Sequence, residues 1–445
     1  LKKWLSVMAC SLVAFTILAG CGSNSNKNSS ASPEAVSSSP ATSAASEAPK
    51  ADPVKIKWAI FETDNFTDAL WQSIIDSFEK EYPDIQVEKV LMTGDSRPQF
   101  LKTLLAAGSL PDIMLDPAEL AKIKDVLAPV PDDLLANFED GSVPVFNNQK
   151  VLVPASKQLR SATYYNKKMF ADAGITDVPK TWDEFLAACE KLKAKGITPL
   201  ITAGASDVWA TSFGYWVNVV NPEVEVWNAN FNADLKSGAA KWNNPVITDA
   251  LQKWQDLYKN GYFDKGSLSY SYSQASAEFQ KGRAAMMMDG SWVAPSLDKG
   301  NLTDFGVFQQ PTKDGITSYS AAFNYMAVSN SSKNKDAAFK FLKYFLVDNK
   351  DVYLSYIKAD GLLSSTKEPV TYEMGPVQTQ FVDSLKGLKL VDEITKLPGD
   401  NALPTGMEDF TQKSLQSILA GAPISKELDT WDDQYKKLSA ATAGN

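Results

Sequence analysis

The sequence predicts an α/β protein with a parallel sheet, and three observations carry that prediction. Val54, Ile56, Trp58 and Ile60 alternate with polar or small residues, the period of a half-buried strand. Leu70, Trp71, Ile74, Ile75, Phe78 and Tyr82 then recur at helical spacing until Pro83 stops them. A second strand pattern follows at residues 85–90, so strand, helix and strand succeed one another as parallel pairing requires.

The elements beyond follow the same rules. Pro98 opens a helix whose apolar face is Leu101, Leu104 and Leu105, and Gly108 supplies its C-terminal cap. Ile113, Met114 and Leu115 form a short buried strand, and Asp116-Pro117 starts the next helix. Thr181-Trp182-Asp183-Glu184 is a capping box, and Gly196 closes the helix it opens. Trp182, Phe185, Leu186, Cys189 and Leu192 share one face of that helix, so Cys189 is expected to be a buried small hydrophobe. Residues 199–202 and 284–288 read as strands, amphipathic helix dominates from Asp336 onward, and there is no internal repeat.

The amino-terminal stretch differs in kind. Lys2 and Lys3 precede an uncharged run from Leu5 to Gly20, the order of a secretory signal peptide, too short to span a bilayer comfortably. Leu1 fits a literal translation of a non-AUG start codon. Leu18-Ala19-Gly20-Cys21 resembles the bacterial lipobox, which implies cleavage before Cys21 and diacylation of its thiol; an uncleaved membrane anchor is the alternative. Residues 22–52 hold no aromatic side chain and are rich in Ser, Ala, Asn and Pro. Such a segment cannot bury enough apolar surface to offset its ordering entropy, and it is expected to be a tether. The segments are then residues 1–20, signal peptide, and 21–52, lipidated cysteine and tether.

Composition removes several chemistries. The formal charge of −9 argues against nucleic acid as a partner, because that binding needs clustered Lys and Arg. With no histidine, Ser-His-Asp and Cys-His catalysis and HExxH zinc sites are excluded. Of the three cysteines, only Cys189 lies in the body. No dinucleotide, phosphate-loop or nucleophile-elbow motif is present, so no catalytic residue, metal or cofactor is expected.

In open parallel sheets, ligands gather at the carboxyl ends of strands. Those ends carry Phe61-Glu62-Thr63-Asp64-Asn65, Thr93-Gly94-Asp95-Ser96 and Asp116. Glu62, Asp95 and Asp116 are therefore candidate hydroxyl acceptors. Helix capping competes for Asp116.

From Val54 onward the chain resembles family 1 extracellular solute-binding proteins, the sugar-binding lipoproteins of bacterial ABC importers. The resemblance rests on four segments in order: FEKEYPDIQVE (78–88), TYYNKKMFADAGITDVPKTWDEFLAACEKLKAKGITPL (163–200), AEFQKGRAAMMMDGSW (277–292) and AVSNSSKNKDAAFKFLKYFL (327–346). It implies a two-lobe periplasmic-binding-protein-like fold of type II, with a multi-strand hinge and the ligand between the lobes. Residues 53–160 plus 305–330 are expected in the first lobe, and 161–304 plus 331–445 in the second. The hinge crossings are then expected near residues 160–164, 303–307 and 329–332. Ala322-Phe323-Asn324-Tyr325 replaces the family's usual Gly-Gly, so Phe323 is expected to fill space that glycines leave to ligand.

A sugar needs planar polar side chains and aromatic platforms. Trp292, after the strand at 284–288 and at the position of the family's cleft tryptophan, is the leading platform; packing is its alternative. Asp289 accepts a hydroxyl or fixes the turn. Trp209 shares a helical face with Phe213 and Trp216, and lies where the family reaches its ligand; Trp216 belongs to the core. Tyr270 and Tyr272 are cleft walls or exposed loop aromatics. Arg160 bonds the ligand or forms an interlobe salt bridge.

The expected function is therefore a monomeric lipid-anchored receptor that delivers a sugar or oligosaccharide to membrane permeases. The expected location is the extracytoplasmic face of the membrane, with a Gram-positive surface favoured. The alternatives are a surface glycoside hydrolase, which would need two carboxylates about 5–9.5 Å apart, and a receptor of the same fold for another solute.

Overall fold

A computed structural model of the chain describes residues 52–93, 96–146, 148–205, 207–397 and 401–443. Cys21, the leader, the tether and Asp95 lie outside the described residues. No helix among the described residues is long and apolar enough to cross a membrane.

Two sheets organise the body. The first contains β1 (Val54–Ile60), β2 (Ile85–Leu91), β3 (Ile113–Leu115), β4 (Val153–Leu159), β8 (Ser318–Val328) and β9 (Lys389–Asp392). Their order is β2-β1-β3-β8-β4, with β9 added beside β8. The second contains β5 (Ala162–Asn166), β6 (Met286–Asp289) and β7 (Phe305–Phe308), in the order β6-β5-β7. The β1–β2 and β1–β3 pairs are parallel, as the strand–helix–strand pattern predicts. β8 runs antiparallel to β3 and β4, and β5 runs antiparallel to both of its neighbours. β8 enters from the other lobe without a helix crossing its own sheet, so the parallel constraint of a βαβ unit does not apply to it. Residues 199–202 form no strand; Leu200 makes only single bridges to Phe263 and Met286.

The first core surrounds Trp58, which meets Trp71 at 5.2 Å and Phe341 at 4.9 Å, both edge-on. Truncating such a buried ring to Ala costs about 3–5 kcal/mol. Phe341, Phe345, Tyr353 and Tyr356 come from the helical segment after Lys335, and all pack with Trp58, Trp71 and Phe78. Residues 331–362 therefore belong to the first lobe, not to the second as expected from a boundary at 331. β7, placed in the first lobe by the same expectation, pairs with β5 in the second sheet. Both corrections have one cause: an amphipathic helix or short apolar strand carries no mark of the sheet it will cover.

The crossings move accordingly. The chain passes between sheets at residues 160–161, then between β7 and β8 (residues 309–317). Its third passage lies between Tyr372, packed on the first core, and helix Pro376–Ser384, which packs on β7. Helices Met407–Leu419 and Ile424–Ala443 complete the second core, where Trp431 meets Trp216 and Trp242, each at 5.4 Å. Cys189 is fully buried in this core, as its helical spacing predicts.

Candidate functional site

The carboxyl ends of β1 and β3 face the loop after β6 across a cavity of about 410 Å³, with walls from both lobes. Asp116 stands on the first wall in a left-handed conformation, φ 55°. A non-glycine residue there costs of order 1 kcal/mol, and the surroundings must hold it. Its N–H donates to the Tyr325 carbonyl at 3.1 Å, and its carboxylate accepts from Arg97 Nη1 at 2.7 Å. The carboxylate does not cap the following helix, Ala118–Ala121, whose N-cap is Pro117 and which has no side-chain cap. Burial pushes the Asp116 carboxyl up, but Arg97, Lys396 and Arg160 together hold it below the usual range. The Arg97 guanidinium in turn lies over the Phe61 ring, 3.6 Å from its centroid.

The opposite wall is aromatic. Trp292 meets Phe213 edge-on at 4.7 Å and Trp209 at 6.2 Å, while Trp209 lies 4.6 Å from Tyr272. The π-helix Ser212–Val220, wider than an α-helix, sets Phe213 on the cavity wall while Trp216 stays in the core. Tyr272 begins helix Tyr272–Gln280, whose capping box pairs Ser271 with Gln274. That helix is not evident from the serine-rich sequence around it.

A polar network links the walls. Arg160 Nη1 donates to Gln158 Oε1 at 2.9 Å, and Gln158 Nε2 donates to Asp360 Oδ2 at 3.1 Å. Asn65 Nδ2 donates to Asp360 Oδ1 at 2.8 Å and to the Trp292 carbonyl at 2.9 Å. Ser296 Oγ donates back to Asn65 Oδ1 at 3.0 Å. Burial raises the Asp360 carboxyl to about 7 despite the bonds from Asn65 and Gln158 and the nearby Arg97 and Arg160. Arg160 also faces Glu393 at 3.6 Å and the Phe213 ring at 5.1 Å. A second set of interlobe contacts joins Glu119 Oε2 to the Gly406 N–H at 3.1 Å, and Lys122 Nζ to the Leu403 carbonyl at 2.8 Å.

Of the residues singled out by sequence, Trp292, Asp116, Trp209, Glu62, Tyr272 and Arg160 line this cavity. Asp289 does not; it is buried, its carboxylate accepts the Gly290 N–H at 2.9 Å, and burial raises its carboxyl to about 7. Tyr270 turns away: its ring covers Gly266 and its hydroxyl donates to Asp264 at 3.0 Å. Phe323 does not line the cavity either: its ring lies beneath Lys157 Nζ, and β8 reaches the cavity with Asn324 and Tyr325. The expected filling of space by Phe323 is therefore not observed. Sequence reasoning missed Arg97, Gln158, Phe213 and Asp360. Phe213 had a signal in the face it shares with Trp209, whereas Gln158 and Asp360 meet from positions 202 residues apart and had none.

With this geometry in view, the comparisons with known proteins are specific. The chain is 28% identical over 308 residues to the multiple sugar-binding protein of Streptococcus mutans, covering 66% of this chain and 71% of the relative. It superposes on a chitin oligosaccharide binding protein with a TM-score of 0.76 at 25% identity, covering 87% of this chain and all of the other. A Bacillus licheniformis sugar transporter in complex with stachyose shares the fold with a TM-score of 0.71 at 18% identity, covering 86% and 100%. Residues 63–348 match the family model for bacterial extracellular solute-binding proteins, and the chain belongs to that family.

Proposed function

We propose that this chain captures a sugar or oligosaccharide between its lobes and delivers it unchanged to the permeases of an ABC importer. The observation that carries the proposal is the pairing of an aromatic wall (Trp209, Phe213, Tyr272 and Trp292) with planar polar groups opposite (Asn65, Gln158 and Arg160) across one cavity. Sugar C–H faces match the first and hydroxyls the second. The relatives named for sugars support this reading. Each cation on the cavity wall already faces a protein carboxylate: Arg97 with Asp116, Lys122 with Glu119, Arg160 with Glu393 and Lys396 with Glu408. An anionic solute would have to displace one of these pairs, which favours an uncharged ligand.

The ligand contacts are assigned to Trp292, Trp209, Tyr272, Asp116, Glu62 and Arg160. Cys21 is assigned as the diacylated anchor of a monomer on the extracytoplasmic face. A thermal-shift series with raffinose, stachyose, maltotriose and chitotriose tests the binding. A ligand at 100 times its Kd should add about 2.7 kcal/mol. No shift with any of them at millimolar concentration, or turnover of a bound oligosaccharide by pure protein, would overturn the reading. Acyl labelling that persists in Cys21→Ser would overturn the anchor.

A further inference from the structure

Arg97 opens helix Arg97–Ala106 and lines the cavity on its first-lobe wall. Two contacts hold its guanidinium. The centre of the Phe61 ring lies 3.6 Å from its central carbon, and Nη1 donates to Asp116 Oδ2 at 2.7 Å. Phe61 is fixed in turn, its carbonyl accepting the Trp71 indole N–H at 2.8 Å. A guanidinium carries five N–H donors in one rigid plane. Asp116 is the only acceptor it meets among the described residues, so the rest of the fork is free. The other carboxylate oxygen, Asp116 Oδ1, likewise has no partner among the described residues. Both side chains stay open to the cavity, 35% exposed for Arg97 and 38% for Asp116. The left-handed φ of Asp116 belongs to this arrangement, since it is the backbone from which the carboxylate meets Arg97.

We infer that Arg97 is a specificity-determining residue that works with Asp116 as one donor–acceptor pair, reading two hydroxyls on neighbouring carbons of the ligand. The inference rests on the sugar-binding reading and deepens it. One hydroxyl accepts from the free Arg97 N–H groups, and its neighbour donates to Asp116 Oδ1. Hydroxyls suit both halves because each can accept and donate. A carboxylate or phosphate would satisfy the arginine alone and set a second negative charge against Asp116. A lysine would not serve at this position, because an ammonium is a point charge that lacks the planar fork and its stacking on Phe61. The sugar must therefore turn an edge with adjacent free hydroxyls to this wall while its C–H face meets Trp292.

The chain has three arginines, Arg97, Arg160 and Arg283, so ¹⁵N-arginine labelling gives three side-chain Nε–H signals, each assigned by its loss in the matching lysine variant. In the free protein, Phe61→Leu should move the Arg97 signal downfield, because the ring current above the phenyl face is removed. Whichever of raffinose, stachyose, maltotriose or chitotriose binds the wild type should move the Arg97 signal. The signal of Arg283, which pairs with Asp264 away from the cavity wall, should stay in place. Calorimetry with the same sugar should show Arg97→Lys weakened about ten- to hundredfold, the range of hydrogen bonds to a charged group. Asp116→Asn suits the left-handed backbone but presents N–H groups where a carboxylate oxygen accepted, and should weaken binding about five- to tenfold. The pair is too exposed to carry much stability, so neither change should lower Tm by more than a few degrees.

An unmoved Arg97 signal with sugar bound, or wild-type affinity in Arg97→Lys, would overturn the inference. An unmoved signal in Phe61→Leu would refute the held guanidinium itself, whatever binds. If none of the four sugars binds a protein in which Phe61→Leu does move the signal, the held guanidinium stands and the sugar reading fails, taking the hydroxyl pair with it.

Discussion

Asn65 offers the most direct handle on closure. Its amide joins the Trp292 carbonyl and the Ser296 hydroxyl on the second lobe, and its remaining N–H goes to Asp360 on the first. Asn65→Ala therefore removes two interlobe hydrogen bonds. At about 0.5–1.5 kcal/mol each, the contact between lobes weakens by roughly 1–3 kcal/mol, or about 5–150-fold in the closure equilibrium. Binding that depends on closure should lose affinity by up to the same factor. Ser296→Ala removes one of the two bonds and should produce about half the effect in free energy. Added to Asn65→Ala it should cost nothing more, because its partner is already gone. Calorimetry gives the affinities, and small-angle scattering with and without sugar gives the compaction. Wild-type affinity and compaction in Asn65→Ala, or full additivity with Ser296→Ala, would refute the reasoning.

Other perturbations address the walls and the buried carboxyls. Trp292→Ala should weaken sugar binding by about 1–3 kcal/mol through lost apolar contact, read by calorimetry. Normal binding would place its ring among packing residues only. Gly290→Ala puts a methyl where the Trp292 ring lies, and should reduce affinity more than tenfold in a protein whose circular dichroism is unchanged. Asp289 and Asp360, both raised to about 7, stay protonated in the folded chain at pH values where the unfolded chain has ionised. Stability should therefore fall as pH rises from about 4 to 7, by up to ~4 kcal/mol for one such group. Melts between pH 4.5 and 8 should show a falling Tm, flattened in Asp360→Asn; a rising Tm across that window would contradict the assignment. Asp116 and Glu119, held low by their cations, act in the opposite sense and only below about pH 4.

Much of the first sheet was legible because its signals are local. β1, helix Asp68–Glu81, β2 and β3 each carry their own period, and Pro83, Pro98 and Gly108 punctuate them. The return of the chain was not legible. Helix Lys335–Lys343 shows a clean apolar face, yet nothing in Ala338, Phe341 and Leu342 says that Trp58 rather than Trp216 will receive them. The site divides along the same line. Strand-end logic reached Glu62 and Asp116, and the run into Trp292 reached the aromatic wall. Asp289 was legible as a residue beside the site but not as one behind it, because only the placement of Tyr272 decides which of the two faces the cavity. Asp360 follows helix Lys350–Ala359 with no motif around it, and its role exists only where Gln158 and Asn65 converge.

Trp292 is where the two networks meet, and they hold different parts of it. Asn65 reaches its main-chain carbonyl from the first lobe, whereas the Tyr272 hydroxyl holds its indole N–H within the second. A main-chain carbonyl survives any side-chain replacement, so the bond from Asn65 persists in Trp292→Ala. The energies should therefore separate by origin. Asn65→Ala and Trp292→Ala should add to within about 0.5 kcal/mol, giving a combined loss of roughly 2–6 kcal/mol in sugar affinity. Four affinities, measured by calorimetry with one sugar, decide the matter. Strong coupling between Asn65 and the Trp292 ring would mean that closure is felt through the side chain, and the division between main-chain clasp and side-chain platform would be wrong.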